Sequence, residues 1–301
     1  MIMSILSKKY FYNEKAAFKY VEGIIWSNGK TCPHCGNAGK VYELKGKSTR
    51  LGLNKCGECR KQFTVKIGTI FEDTHIPLHK WLQAIFLISS SKKGISSHQL
   101  HRTLEITYKS AWFLSHRIRE AMKENSLPVM GGEGKIVEVD ETYIGNKGKQ
   151  KKGARGWGHK EKILSLVERG GKVRSYHVPF TNVKTLMPII EKQVKQETTL
   201  MTDEARQYIK IGKSFKDHQV VVHSHKEYVR GNFHTNTIEG FFSIFKRGMK
   251  GVYQHCKSNH LHRYLSEFDF RYNNKDVSDV ERADNILKGF VGKRLTYWRA
   301  C

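Results

Sequence analysis

The chain has 301 residues, enough for two or three domains with separate cores, and its 39% hydrophobic and 11% aromatic content excludes wholesale disorder. Its 53 lysines and arginines against 28 acidic residues leave a net charge of +25, spread along the chain, which implies a polyanionic partner. No apolar run is long enough for a membrane span, and the opening MIMSILSKKYFYNEK turns charged too soon for a secretory signal, so the expected protein is cytoplasmic, nucleoid-associated and without a membrane partner.

Residues 1–30 carry Ala16, Ala17, Phe18, Val21, Ile24, Ile25 and Trp26 at helical spacing before Asn28-Gly29, which predicts an N-terminal helix. Residues 31–75 are rich in glycine and β-formers and hold two CxxC pairs, Cys32/Cys35 and Cys56/Cys59. Each CxxC turn aims two thiolates at one ion, and two turns complete a tetrahedral site of four sulfurs. In a reducing compartment that spacing favours structural Zn2+ over disulfides, with iron the weaker rival. His34 lies inside the first knuckle, but four thiolates already close the shell, so it is read as exposed. A closed site has no open position for catalysis, so the ribbon's expected roles are folding and, with Lys40, Lys45, Lys47, Arg50, Arg60 and Lys61 around it, DNA contact.

From 76 to 126 the pattern turns helical. Trp81, Ala84, Ile85, Phe86 and Ile88 give one apolar face, Ile95-Ser96-Ser97 caps a second helix, and Thr107 caps a third. Leu100 and Leu104, the turn Glu105-Ile106-Thr107, and Ala111, Trp112 and Leu114 outline a helix-turn-helix, although a plain helical hairpin has the same outline. Its second helix would present Tyr108, Lys109, Ser110, His116, Arg117 and Arg119 to a DNA groove, with Tyr108, Lys109, Arg117 and Arg119 as the chosen contacts.

A linker at 125–134 marks a boundary, and residues 133–280 read as a mixed sheet with packed helices. The strand candidates are Lys135 to Ile144, Lys162 to Val167, Val173 to Val178, Thr198 to Thr202 and Gln219 to His223. Helices are predicted at Val183 to Lys195, at Glu204 to Ile211, and over one long stretch from Thr237 into Arg271-Tyr272-Asn273-Asn274. Residues 281–301 remain as a C-terminal tail.

Three acidic residues in this region are candidates for chemistry. Asp140 sits in the apolar run Ile136-Val-Glu-Val-Asp-Glu-Thr-Tyr-Ile, where a charge is costly unless paired or metal-bound. Asp203 ends another strand candidate, and Glu239 lies near the start of the long helix. Converging, they would hold two Mg2+ or Mn2+ ions roughly 4 Å apart for in-line phosphoryl displacement. The residues alone equally allow three scattered surface carboxylates. Lys246, seven residues after Glu239 and so two helical turns on, is either a phosphate holder or an ordinary solvated lysine. Glu138 shares a strand face with Asp140, Glu141 points the other way, and Glu204 and Asn236 adjoin the cluster as candidate partners.

Several blocks, in one order and spanning nearly the whole chain, carry a family resemblance: Cys-Pro-His-Cys-Gly, Lys-Cys-Gly-Glu-Cys-Arg-Lys-Gln-Phe-Thr-Val, Gly-Thr-Ile-Phe-Glu-Asp, Val-Asp-Glu-Thr-Tyr-Ile-Gly, Asn-Thr-Ile-Glu-Gly-Phe-Phe-Ser and Arg-Tyr-Asn-Asn. The sequence resembles bacterial insertion-sequence transposases of the ISXO2-like type, with an N-terminal zinc ribbon and a ribonuclease H-like DDE catalytic domain. The resemblance implies a multidomain α+β and α/β protein: zinc ribbon, helix-turn-helix and a ribonuclease H-like mixed sheet. It implies that Asp140, Asp203 and Glu239 form the catalytic triad and that Lys246 fills the basic position after the glutamate. The implied partners are double-stranded DNA, as transposon ends and target, and further copies of the chain assembled on that DNA. A regulator using only residues 31–125, or a nuclease of the same fold without strand transfer, are the alternatives.

Overall fold

The computed structural model describes residues 4–124, 126–145, 160–221 and 235–297. The chain divides into two compact units, 1–123 together with 276–301, and 124–275.

In the first unit, α1 (Glu14–Ile25) starts at Asn13, whose side chain accepts from the Ala16 amide, and buries Ala17, Phe18 and Val21. The short antiparallel strands β1 (Val41–Glu43), β2 (Asn54–Cys56) and β3 (Gln62–Phe63) follow, paired in the order β1-β2-β3. Three helices come next: α2 (Leu78–Ser90), α3 (Ser97–Leu104) and α4 (Tyr108–Met122). Ser96 and Thr107 cap α3 and α4 by accepting from the Gln99 and Ser110 amides, and Glu105 makes the turn between them at a left-handed φ of 50°. Trp81, Ile85, Ile88, Leu100, Leu114 and Ile118 lie buried in this unit.

The Glu14 carboxylate caps α2 from a distant part of the sequence, accepting from the Leu78 and His79 amides and the His79 ring at 2.8, 3.0 and 2.7 Å. Burial pushes the Glu14 pKa up, but these hydrogen bonds and the His79 charge outweigh it and hold it below the ordinary value. Its stabilisation is therefore complete above the unfolded-state pKa and is lost as pH falls through the lower folded value. Glu14→Gln should cost about 1 kcal/mol at pH 7. In urea unfolding the gap to the parent should close below roughly pH 4; a gap that persists in acid would sink this account.

Residues expected to form a tail contain α9 (Asp279–Lys288), which packs on α1, α2 and α4. The approach is close: a Cβ on Gly289 would sit 2.7 Å from the Ala121 carbonyl oxygen. This packing corrects the expected face of α4. His116, Arg117 and Arg119 are buried, because the C-terminal half of α4 is covered on more sides than a two-helix motif requires. Arg117 donates to the Glu72 carbonyl at the close of a loop and lies over the Trp81 and Phe113 rings, while Arg119 donates to Ser115 Oγ at 3.0 Å.

The second unit is a mixed sheet with helices on both faces. Its strands are β4 (Ile136–Ile144), β5 (Glu161–Glu168), β6 (Val173–Val178), β7 (Thr199–Asp203) and β8 (Asp217–Val221), in the order β6-β5-β4-β7-β8. Antiparallel pairing joins β4 to β5 and β5 to β6, and parallel pairing joins β4 to β7 and β7 to β8. On one face, α5 (Val183–Gln193) and α6 (Arg206–Gly212) cover Val137, Val139, Leu164, Leu166 and Leu200. On the other, α7 (Asn236–Gly248) and α8 (Leu261–Asn273) cover Ile163, Val167 and Val173 with Phe241, Phe245, Leu265 and Phe268.

The expected single helix after Thr237 is two. After α7 a π-helical turn, Met249–Tyr253, ends at Gln254 with φ 46°, a left-handed conformation that stops the helix before α8 begins. The strand expected at Gln219 to His223 begins earlier, at Asp217, and residues 222 and 223 lie outside the described ones.

Candidate functional site

The four cysteines converge. Cys32 is in the loop after α1 and Cys56 closes β2, and the four Sγ atoms all lie within 4.8 Å of one another. Cys32 and Cys59 are 3.7 Å apart and Cys35 and Cys56 are 3.6 Å apart. Four sulfurs about 2.3 Å from one zinc ion form a tetrahedron with edges of about 3.8 Å, so the residues fit the metal. The backbone N–H groups of Cys59 and Glu58 hydrogen-bond to Cys56 and favour its thiolate. His34 is exposed, edge-on to Phe63, as read from the sequence. Lys40, Lys45, Lys47, Arg50, Arg60 and Lys61 are all exposed.

On α3 and α4 the exposed residues are His98, Gln99, Arg102, Thr103, Tyr108 and Lys109. The His98 and Tyr108 rings stack at 4.2 Å, and Lys109 Nζ lies 4.6 Å from the Tyr297 ring centre. Of the four expected DNA contacts, Tyr108 and Lys109 are therefore at the surface and Arg117 and Arg119 are not.

The acidic residues of the second unit are placed by sheet register. Successive side chains of a strand alternate faces, so Val137, Val139 and Glu141 face α5 and α6 whereas Glu138 and Asp140 face α7. The parallel β4–β7 ladder runs from Ile136/Thr199 to Glu138/Met201; Asp140 and Asp203 each lie two residues beyond its last pair, and the Asp203 charge acts on Asp140. Asp203 Oδ1 accepts from the Ala205 amide at 3.0 Å, which folds the chain into α6. Glu239 is on the first turn of α7, where its carboxylate accepts from Thr235 Oγ1 at 3.0 Å.

Asp140 feels this arrangement. Its pKa is pushed up to about 8, first by burial, then by the neighbouring Asp203 and Glu141 charges, with Glu239 adding a smaller contribution. Lys246 is half-buried on α7, and burial lowers its pKa; the Asp140 charge opposes that shift while Lys250 and Lys160 add to it. No carboxylate trio among the described residues closes to the 4.8 Å spacing reached by the thiols.

Three functional neighbours went unread in the sequence. Arg169 pairs with buried Glu138 at 2.6 Å, and Gln207 and Tyr208 donate to Glu141 from α6, Gln207 at 2.6 Å. The need of a buried strand carboxylate for a countercharge was the available signal for Arg169. Glu204 is exposed beside Asp203, and Asn236 is exposed at the start of α7.

A four-thiol cluster beside short antiparallel strands, in a chain that also carries a mixed α/β unit, defines a class of metal-binding ribbon proteins. Two family models match it: the ISXO2-like transposase domain over residues 131–273 and the transposase zinc-ribbon domain over residues 12–62, together more than half of the chain. The chain belongs to this zinc-ribbon transposase family. It is 27% identical over 279 residues to the "Uncharacterized protein in transposable element ISH50" of Halobacterium salinarum, covering 87% of this chain and 92% of that one. It is also 29% identical over 119 residues to an "Uncharacterized transposase-like protein" of Haemophilus influenzae, covering 39% of this chain and 95% of that protein. Among the described residues no helix is long and apolar enough to cross a membrane.

Proposed function

We propose that this transposase binds the terminal inverted repeats of an insertion sequence, cleaves their 3' ends and joins them to target DNA, with Asp140, Asp203 and Glu239 as its catalytic triad. The observation that carries the reading is the placement of Asp140 and Asp203 on adjacent parallel strands, each two residues beyond the last pair, with the Asp203 and Glu239 charges both acting on Asp140, inside the matched transposase domain. A mixed sheet with helices on both faces supports a ribonuclease H-like fold.

The residues fit divalent cations. Their donors are hard carboxylate oxygens, which suit Mg2+ or Mn2+, and Asp140, held neutral to about pH 8 by burial and like charge, marks a place short of positive charge. Two bound ions would activate water or a 3'-hydroxyl and stabilise the leaving oxygen. The protein's own share is to hold the carboxylates on two strands and a helix, and to present the Lys246 ammonium to a phosphate beside them.

DNA is held by the front unit. Helices α3 and α4 act as a helix-turn-helix whose contact face is His98, Arg102, Tyr108 and Lys109, with the exposed cations of the ribbon on phosphates. Arg117 and Arg119, being buried, support α4 from within. Two transposon ends must be held together, so the working form on DNA is at least a dimer.

An end-bearing duplex incubated with Mg2+ or Mn2+ should yield nicked and joined products. Asp203→Ala and Glu239→Ala should each lower cleavage on the order of a thousandfold or more while gel shifts are retained. Cutting at the parent rate by either variant would overturn the site assignment; nicks without joined products would make the protein a nuclease instead.

A further inference from the structure

Glu138 is fully buried on β4, on the face that carries Asp140. A buried carboxylate persists only when paired and hydrogen-bonded. Its partners include Arg169 Nε at 2.6 Å, Thr237 Oγ1 at 2.8 Å and the Ile238 amide at 2.9 Å. The last two belong to the first turn of α7, where backbone N–H groups have no acceptor within the helix and the helix dipole favours an anion. Arg169 follows the end of β5, and its Nη2 lies 3.2 Å from Met201 Sδ on β7. One buried ion pair therefore gathers two neighbouring strands and the start of α7 around a single carboxylate.

The next residue after Ile238 is Glu239. A slide or rotation of this first turn against β4 would move the Glu239 carboxylate relative to Asp140, whereas metal ligands must be held to within about 0.5 Å. We propose that Glu138 is a positioning residue: through Thr237 and Ile238 it sets the register of α7 on β4 and so aims Glu239 at Asp140. This rests on the reading of Asp140, Asp203 and Glu239 as the metal-binding set. At least three donors meet the two oxygens, so an amide at this position would turn its own N–H groups against at least one of them.

The test uses the full chain with Glu138→Gln, Thr237→Val and Thr237→Ser. Amide exchange over 236–242 is followed without metal, and the Mg2+ concentration for half-maximal cleavage is measured separately. Glu138→Gln and Thr237→Val should speed exchange of the first turn of α7 about tenfold or more. They should raise the Mg2+ midpoint about ten- to hundredfold, with much of the rate recovered at saturating metal, and Thr237→Ser should match the parent. If Glu138→Gln does not fold, Thr237→Val carries the test alone. An unchanged exchange rate and midpoint in Thr237→Val overturns the inference, and so does a lowered melting temperature with an unmoved midpoint. Metal-dependent cleavage by Glu239→Ala would instead sink the triad reading, while the exchange result would still decide whether Glu138 holds α7.

Discussion

Asp140→Asn should all but abolish cleavage while making the metal-free protein harder to unfold. The loss of chemistry, on the order of a thousandfold or more, follows from the proposed role of Asp140 in the metal-binding triad. The gain in stability follows from the Asp140 pKa, which burial and then the Asp203 and Glu141 charges raise to about 8 from an ordinary value of 3.8. Between those values the folded state keeps a proton that the unfolded state has released, so the parent's stability falls as pH rises across that window. Asparagine carries no such burden. Parent and variant should match below about pH 4 and differ fully above about pH 8. Because Asp140 is only partly shielded from water, the difference should be on the order of 1–3 kcal/mol, a rise of several degrees for a unit of this size. Thermal melts in EDTA at several pH values check this, and a variant that melts at or below the parent at pH 8 defeats the account. In the parent, Mg2+ binding at neutral pH should release a proton, which calorimetry in buffers of different ionisation enthalpy would detect.

Removing zinc should unfold the ribbon. Its strands are three, three and two residues long, and its buried cluster is Cys32, Cys56 and Phe63 with Trp26, Val41, Cys59 and Ile67 packed around them. So small a core does not offset the conformational entropy of the loops it closes. Metal binding by four thiolates contributes on the order of 10–16 kcal/mol in comparable peptides, and here that free energy is the folding free energy of the ribbon. Chelation, or Cys56→Ser, should erase amide protection over residues 31–63 and weaken DNA binding, while β4 to β8 keep theirs. Protection in the ribbon that survives complete removal of metal would show that its apolar contacts suffice.

Much of this was legible in the residues. The two CxxC pairs and their spacing pointed to one tetrahedral site, and the thiols do converge. Period-two alternation in Ile136–Ile144 separated Glu138 and Asp140 from Glu141, and the sheet keeps that division. Helical periodicity failed after Met249, where a π-helical turn and a left-handed Gln254 interrupt an otherwise continuous pattern. It also failed on α4, since one helix and its turn partner do not reveal that α9 returns to pack on the same helix.

By itself the sequence determined what depends on neighbours in the chain: the cysteine knuckles, the caps at Ser96 and Thr107, the alternation along β4, and the excess of positive charge. Only tertiary structure decided which elements pack against one another. Strand order puts Asp140 and Asp203 on the adjacent strands β4 and β7, and the first turn of α7, which carries Glu239, docks on Glu138 through Thr237 and Ile238, contacts between residues tens of positions apart. The physical reason is that local periodicity assigns a side chain to a face, whereas the partner across that face is set by how separate elements pack.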